Sequence, residues 1–310
     1  MSLKTSIIGF VLISFLACKK NDAALSSNED VQNYLISVKK FESISSNPNV
    51  KLIDFRKPKL YNEHHISGAL NIWRSDIENP SYAYGGMMIN KEGLEKLFRS
   101  KGISNNDLLI VYDDNGLCDA ARFWWVLQNY NYKNVKLLHS TYTEWKAKNG
   151  SITEKIPEIS PTGFKFTTQP SKKLYISKED VLQELNKNTI ILDTRTPDEY
   201  SGKSQKKGAA KSGRIPNSTL IDWSTAINFH SDKKLKSIQE LDSIYGAVIA
   251  SKETPVIVYC HSGVRSAHTT FVLTQLLGYK NVKNYDGSWT EWSYFDNLPF
   301  EKDSLNLIKK

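Results

Sequence analysis

The sequence predicts an α/β protein made of two tandem domains, each an open, mostly parallel sheet flanked by helices. Three observations carry this expectation. First, the chain repeats itself. Leu52–Tyr61 aligns with Ile191–Tyr200 as apolar-apolar-Asp-x-Arg-x-Pro-x-x-Tyr, and HISGALNI from His65 aligns with RIPNSTLI from Arg214. LIVYDD, YKNV and TEW follow at 109, 132 and 143, and their counterparts start at 256, 279 and 290, a single offset of 147 residues with no gap between them. Second, Leu52–Phe55, Leu108–Tyr112, Val135–Leu138, Ile190–Asp193, Val256–Tyr259 and Val282–Tyr285 are short, almost uniformly apolar runs. Strands covered on both faces read this way. Third, helical stretches such as Lys178–Asn186 and Ser266–Leu277 alternate with the runs, the order expected of α/β units.

The elements divide the chain in order. Residues 1–18 read as an export signal: Lys4 supplies the positive start and Ile7–Ala17 an apolar run of signal length, too short to span a bilayer. The run ends at Phe15-Leu16-Ala17-Cys18, which resembles the bacterial lipoprotein cleavage box, with Phe where Leu is usual. That resemblance makes Cys18 the lipidated first residue of the mature chain; a plain secretory signal is the alternative. The expected location is therefore exported, in the cell envelope, either as a membrane-anchored lipoprotein or as a periplasmic protein. Membrane contact is expected only through the lipid anchor. Residues 19–29 are a polar tether, 30–150 the first domain, and 151–172 a Pro-rich linker expected to wrap the surface. Residues 173–302 form the second domain and 303–310 a tail.

Composition narrows the function. With 310 residues, 40% hydrophobic and 24% charged, the chain falls in the ordinary globular range, which excludes disorder, collagen and disulfide scaffolds. Lys and Arg number 41 against 33 acidic residues, for a net +8. Lys4, Lys19, Lys20, Lys309 and Lys310 lie at the ends, so the folded body is only mildly basic. There is no arginine-rich helix and no zinc-ligand spacing. Nucleic acid is thus not an expected partner, no metal or cofactor is expected, and an anionic small substrate accounts for the charge. With Cys18 assigned to processing, Cys118 and Cys260 remain. Two cysteines make no disulfide framework, so a thiol kept in an exported protein invites a functional reading.

Cys260 ends an apolar strand and is followed by His261-Ser262-Gly263-Val264-Arg265-Ser266, with a helix expected from about Ala267. A short loop between strand and helix points successive peptide N–H groups inward as an anion nest, and the helix dipole reinforces it. Gly263 permits the positive-φ turn, and Arg265 adds a fixed positive charge. A cysteine at the rim of such a nest has a lowered pKa. The plain alternative is a small buried hydrophobe.

Cys-His-Ser-Gly-Val-Arg resembles the active-site loop of the rhodanese family of sulfurtransferases. LDTRTPDEY (192–200), GRIPNS (213–218) and YDGSWTEW (285–292) extend the resemblance from about residue 30 to 302. It implies two rhodanese-like domains, the second catalytic and the first not, because Asp113 stands where the second copy has Cys260. It also implies sulfane sulfur transfer through a Cys260 persulfide. The expected donor is thiosulfate or mercaptopyruvate, and the acceptor cyanide, a small thiol or a thioredoxin-like protein. The resemblance places Arg195 at the anionic end of the donor, with an ion pair to Asp193 as the alternative. Arg214 stands where the family commonly has His, and Trp289 is expected to line the pocket, while Glu291 is expected to be structural. Lys206, Lys207 and Lys211 form a basic insertion, and Cys118, opposite Arg265, reads as structural.

Ser262 resembles mercaptopyruvate enzymes, whereas Arg265 points to thiosulfate. The Asp and His that mercaptopyruvate enzymes take from the first domain correspond here to a shifted Asp76 and to Gly86, which favours thiosulfate. His64-His65 reads as a turn of the family rather than a metal site. A cysteine phosphatase needs Cys-x5-Arg around its phosphate, and here Ser266 holds that position. The second class of function is a non-catalytic binding or sulfur-carrier module of the envelope.

Overall fold

The computed structural model describes residues 34–148 and 150–303. The signal segment, Cys18, the tether and residues 304–310 lie outside the described residues. Two five-stranded parallel sheets organise the rest. In spatial order the first holds Leu35–Ile36, Val135–Leu138, Leu108–Tyr112, Val50–Asp54 and Leu70–Asn71. The second holds Tyr175–Ile176, Val282–Tyr285, Val256–Tyr259, Ile190–Asp193 and Ser218–Leu220. Each strand of one sheet thus has its repeat partner at the same place in the other. Registers match as well: Asp54 pairs with Tyr112 and Asp193 with Tyr259. The uniformly apolar runs are the central strands, and Val256–Tyr259 is buried throughout.

The helix that follows Cys260 begins earlier than the sequence suggests. Gly263 is its N-cap, with φ +75°, and the helix runs Val264–Phe271 before continuing as a π-helical turn, Val272–Leu276. One left-handed residue turns the chain directly into the helix, so the loop is shorter than expected. Its repeat partner, Cys118–Asn129, starts after Leu117 with φ +67°. These two helices pack against each other between the domains. Trp124 meets Phe271 edge to face, with centroids 5.0 Å apart, and the two residues are themselves separated by the repeat offset. Like residues touching across an interface mark a local two-fold axis.

One apolar core runs through that interface, joining Ala120, Ala121 and Trp124 to Ala267, Phe271 and Val272. The segment 151–172 does more than wrap the surface. Ile152–Thr153 pairs antiparallel with His65–Ile66. Phe164 and Phe166 sink beside Phe98, Tyr130 and Tyr132, and Glu95 accepts the Phe166 N–H at 2.9 Å.

Because the core is shared, the halves are expected to unfold together. Trp124→Ala, at a residue with no exposed surface, should cost about 3–5 kcal/mol. Calorimetry should show one transition in the parent chain and one, at lower temperature, in the variant.

Candidate active site

Cys260 follows the last residue of a buried strand and is 1% exposed. Three donors converge on its sulfur: the Ser266 hydroxyl at 3.4 Å and the N–H groups of Ser262 and Ser266. A turn from the neighbouring strand end holds the loop in shape. Ser288, at φ +52°, accepts the N–H groups of Cys260 and Gly263 at 3.1 Å each and donates to the Tyr285 carbonyl at 2.7 Å. The N–H groups of Trp289 and Thr290 donate to the carbonyls of Cys260 and His261 at 3.0 and 2.9 Å. A Cβ on Gly263 would meet the Asp286 carbonyl at 2.5 Å, so this position excludes a side chain as well as demanding positive φ.

Burial alone would raise the Cys260 pKa. The Arg265 charge, the Ser266 hydroxyl and the two N–H groups outweigh it, and the thiol lies below its ordinary value. Arg265 is itself held by a two-pronged ion pair to Glu199, at 2.7 and 2.9 Å. Burial works against the Glu199 charge, but Arg265 prevails and brings its carboxyl down to about 2. His261 Nε2 donates to the Lys207 carbonyl at 3.1 Å; a carbonyl can only accept, so Nε2 carries the proton. Burial, helped by Lys206, lowers this imidazole to about 4, which leaves it neutral at pH 7.

The first domain shows what such a loop does with a fixed anion. One Asp113 oxygen accepts the N–H groups of Asn115 and Leu117 at 3.0 and 2.9 Å, and the other those of Asp119 and Ala120 at 2.9 and 3.1 Å. By the repeat offset, Asn115 and Asp119 correspond to Ser262 and Ser266, the residues whose N–H groups face Cys260. A carboxylate therefore fills in the first copy the space that a persulfide's outer sulfur would occupy in the second. Burial and Asp119 push the Asp113 carboxyl up to about 6 against the pull of the four N–H groups.

Three of the expected donor-site residues have protein partners of their own. Arg195 is committed to Asp193, with Nε at 2.9 Å and Nη2 at 2.5 Å, and to the Gly213 carbonyl at 2.7 Å. Arg56 makes the same bonds to Asp54 and the His64 carbonyl. A feature present also in the copy that has Asp113 in place of Cys260 serves the fold. Arg214 is drawn to the chain end, bonded to Asp303 at 2.6 Å and bridged to Glu301, so it fastens the last strand-like segment instead of meeting a donor. Trp289 backs the loop from the core: its indole N–H donates to the Lys211 carbonyl at 2.9 Å, and its ring lies under Arg195.

Val264 sits at the interface beside Cys118, Trp223 and Ile227. Cys118 is buried, and burial pushes its thiol well above the ordinary value. His65 bonds the carbonyls of Tyr61 and Lys155, and Asp76 accepts the Trp73 N–H in a helix cap. Glu291 accepts from the Tyr84 hydroxyl at 2.8 Å.

The sequence reading missed the residues by which the first domain grips this loop. Arg122 Nη2 donates to Asp286 and to the Gly86 carbonyl, both at 2.7 Å. Gly86, at φ +99°, lies so close to Ser262 that a Cβ would come within 2.7 Å of its side chain. Asp286 also accepts the Met88 N–H at 2.9 Å, and Thr290 donates to the Gly85 carbonyl at 2.8 Å. Arg74, paired with Asp119, lies within electrostatic reach of both Cys260 and Cys118. A lone arginine inside the apolar run AARFWWVL was the available signal for Arg122; nothing local marks Arg74.

The sequence profile of the rhodanese-like domain matches residues 37–148 and again 177–294. The chain belongs to the rhodanese family. A Saccharopolyspora erythraea protein named as a thiosulfate sulfurtransferase is 35% identical over 249 residues, covering 78% of this chain and 86% of its own. The sulfur carrier protein TtuD of Thermus thermophilus is 31% identical over 280 residues, covering 86% and 96%. The fold is shared with SseA of Escherichia coli, a 3-mercaptopyruvate sulfotransferase, at TM-score 0.73 and 24% identity over 83% of this chain and 98% of that one. EanB in complex with ergothioneine superposes at TM-score 0.79 with 19% identity, covering 92% and 73%.

In this rhodanese the thiolate fraction of Cys260 grows as pH rises through its pKa, and Arg265 keeps that pKa low. Arg265→Gln should move the limb of iodoacetamide inactivation upward by about one pH unit or more, as expected when an opposite charge is removed. An unmoved limb would show that the peptide donors alone set the thiol.

Proposed function

We propose that this rhodanese is a sulfurtransferase that moves sulfane sulfur from thiosulfate to a thiophilic acceptor through a persulfide on Cys260. The observation that carries the reading is the pair of nests: complete around an acidified thiol in the second domain, and filled by the Asp113 carboxylate in the first. The Cys260 thiolate attacks the outer sulfur of thiosulfate. The sulfur–sulfur bond of the donor breaks, and sulfite leaves with its electron pair. The enzyme then holds Cys260–S–S⁻, whose charge the loop N–H groups stabilise. An acceptor nucleophile attacks the outer sulfur and releases the Cys260 thiolate. Cyanide would leave as thiocyanate, and a thiol as a persulfide.

Two observations support thiosulfate over mercaptopyruvate. Release of pyruvate needs a proton for the departing enolate, and the first-domain groups expected to manage it are not arranged for that task. Asp76 is spent on a helix cap, and Gly86 packs against Ser262. The relative named as a thiosulfate sulfurtransferase points the same way. The relative named as a sulfur carrier favours a second reading, in which the persulfide is cargo for a protein thiol. For location we propose export and lipidation at Cys18, on the strength of the lipoprotein-like box.

Incubation with thiosulfate should add the mass of one sulfur atom to the wild type and to Cys118→Ser, and none to Cys260→Ser. Turnover with cyanide should vanish in Cys260→Ser. A persulfide that forms and yet passes to no small acceptor would establish the carrier reading. An adduct retained in Cys260→Ser would overturn both. Arg74→Ala should lower kcat/KM for thiosulfate about 10- to 100-fold, the scale of one charged contact, with partial recovery in Arg74→Lys.

A further inference from the structure

The end of the second sheet opposite the catalytic loop carries a lysine cluster that the sulfur chemistry does not use. Two adjoining cavities of about 540 Å³ each open there, and they share Lys173 and Lys280. Lys172 and Lys283 complete the lining charge of one and Lys133 that of the other. Glu184 is the single carboxylate among the lining residues, and it is already engaged by Lys187 and Thr189. Lys280 meets Glu253 at 3.1 Å with both side chains about two-thirds exposed, a pair too solvated to quench the charge. Lys133, Lys173 and Lys283 have no ion-pair partner among the described residues. The lysines also follow the repeat: YKNVK at 132–136 and at 279–283 places Lys133 and Lys280 at equivalent points of the two domains, and both line one cavity.

Their position matters as much as their number. Val256 and Val282, the first residues of their strands, line the same hollow. Cys260 follows the other end of the first of these strands, about 13 Å away at the usual rise per residue. Tyr34, where the described chain begins, lines the second cavity. The described chain therefore starts on this face. Fifteen residues lie between Cys18 and Tyr34, a reach of at most about 55 Å.

We propose that this lysine face docks on an anionic phospholipid surface, leaving the catalytic loop directed away from the membrane. The proposal draws on the reading of Cys18 as an anchor only for the direction from which the chain arrives; the charge and its placement stand on the fold.

The test uses the full chain carrying Cys18→Ser, so that acylation does not mask the charge. Sedimentation with phosphatidylcholine vesicles, with and without phosphatidylglycerol, reads the lipid-charge dependence. Any partition of the apolar run Ile7–Ala17 is common to both vesicle types. Binding should rise with phosphatidylglycerol and fall with ionic strength. Lys173→Gln/Lys283→Gln should cut the phosphatidylglycerol-dependent part about 25-fold, at roughly fivefold per lysine. Lys57→Gln/Lys59→Gln, exposed elsewhere on the first domain, should leave it unchanged. Equal binding to both vesicle types, or an equal loss in the control, overturns the proposal. So does lysine-dependent binding of a single-stranded DNA probe without vesicle binding, which would assign the face to nucleic acid. Thiosulfate turnover should be the same in all three chains, so failure of the lipid reading and failure of the sulfurtransferase reading are separately visible.

Discussion

A negative charge held by peptide N–H groups at the end of a buried strand is the constraint around which both halves are built. Such a nest is costly when empty, because buried donors without acceptors lose their hydration. The first domain meets that cost internally: Asp113 takes four N–H groups with one carboxylate. The second cannot do so and remain reactive. It leaves the donors to a sulfur atom, a weaker acceptor, and restores rigidity from outside the loop. Ser288 in its left-handed conformation takes two further N–H groups, and the residues after it hold the loop carbonyls. Preorganisation of this kind stabilises charge without reorganisation at the moment of reaction.

Part of that outside support comes from the first domain. The Arg122–Asp286 pair crosses between the domains at 2.7 Å with both side chains almost wholly buried. It is well satisfied, because Arg122 also reaches the Gly86 carbonyl and lies over the Trp125 ring, while Asp286 takes the Met88 N–H. Buried pairs contribute little beyond their desolvation cost when intact, yet removing one partner strands a charge in the core. Here the pair joins the turn that carries Ser288 to the segment that packs on Ser262. The geometry of the nest is thereby tied to the position of the first domain.

Much of the fold was legible because parallel strands covered on both faces are uniformly apolar and because the repeat supplied a second copy of every signal. Five of the six expected strand runs coincide with observed strands, and the sixth differs at its ends, Val50–Asp54 for Leu52–Phe55. The strand, turn and helix around Cys260 were legible from local order alone. The partners of Arg74, Arg122 and Arg214 were not. Arg195 shares its motif with Arg56, and Trp289 occupies the place of Tyr142, whose ring lies under Arg56 as that of Trp289 lies under Arg195. Arg122 and Asp286 are 164 residues apart, so no local pattern joins them. The buried aromatics of 151–172 were hidden by the prolines around them.

The two copies separate fold from chemistry more sharply than either does alone. What they share, the Asp-x-Arg strand end, the tyrosine hydroxyls on Asp54 and Asp193, and the aromatic under each arginine, holds strands and turns together. What they do not share is concentrated around one sulfur. Cys260, Arg265, Ser266 and Glu199 stand where the first copy has Asp113, Cys118, Asp119 and Leu60. Each of these differences acts on the same quantity. Arg265 supplies the charge that lowers the thiol pKa, Glu199 holds Arg265, and Ser266 donates to the sulfur. In the first copy a carboxylate stands at the position of Ser266, and the thiol at the position of Arg265 is driven upward by burial and by that carboxylate. A thiol restored at position 113 alone would therefore face Asp119 where Cys260 meets Ser266, and would lack the cation that makes Cys260 acidic. The two copies thus differ by a whole electrostatic set, of which the cysteine is one member.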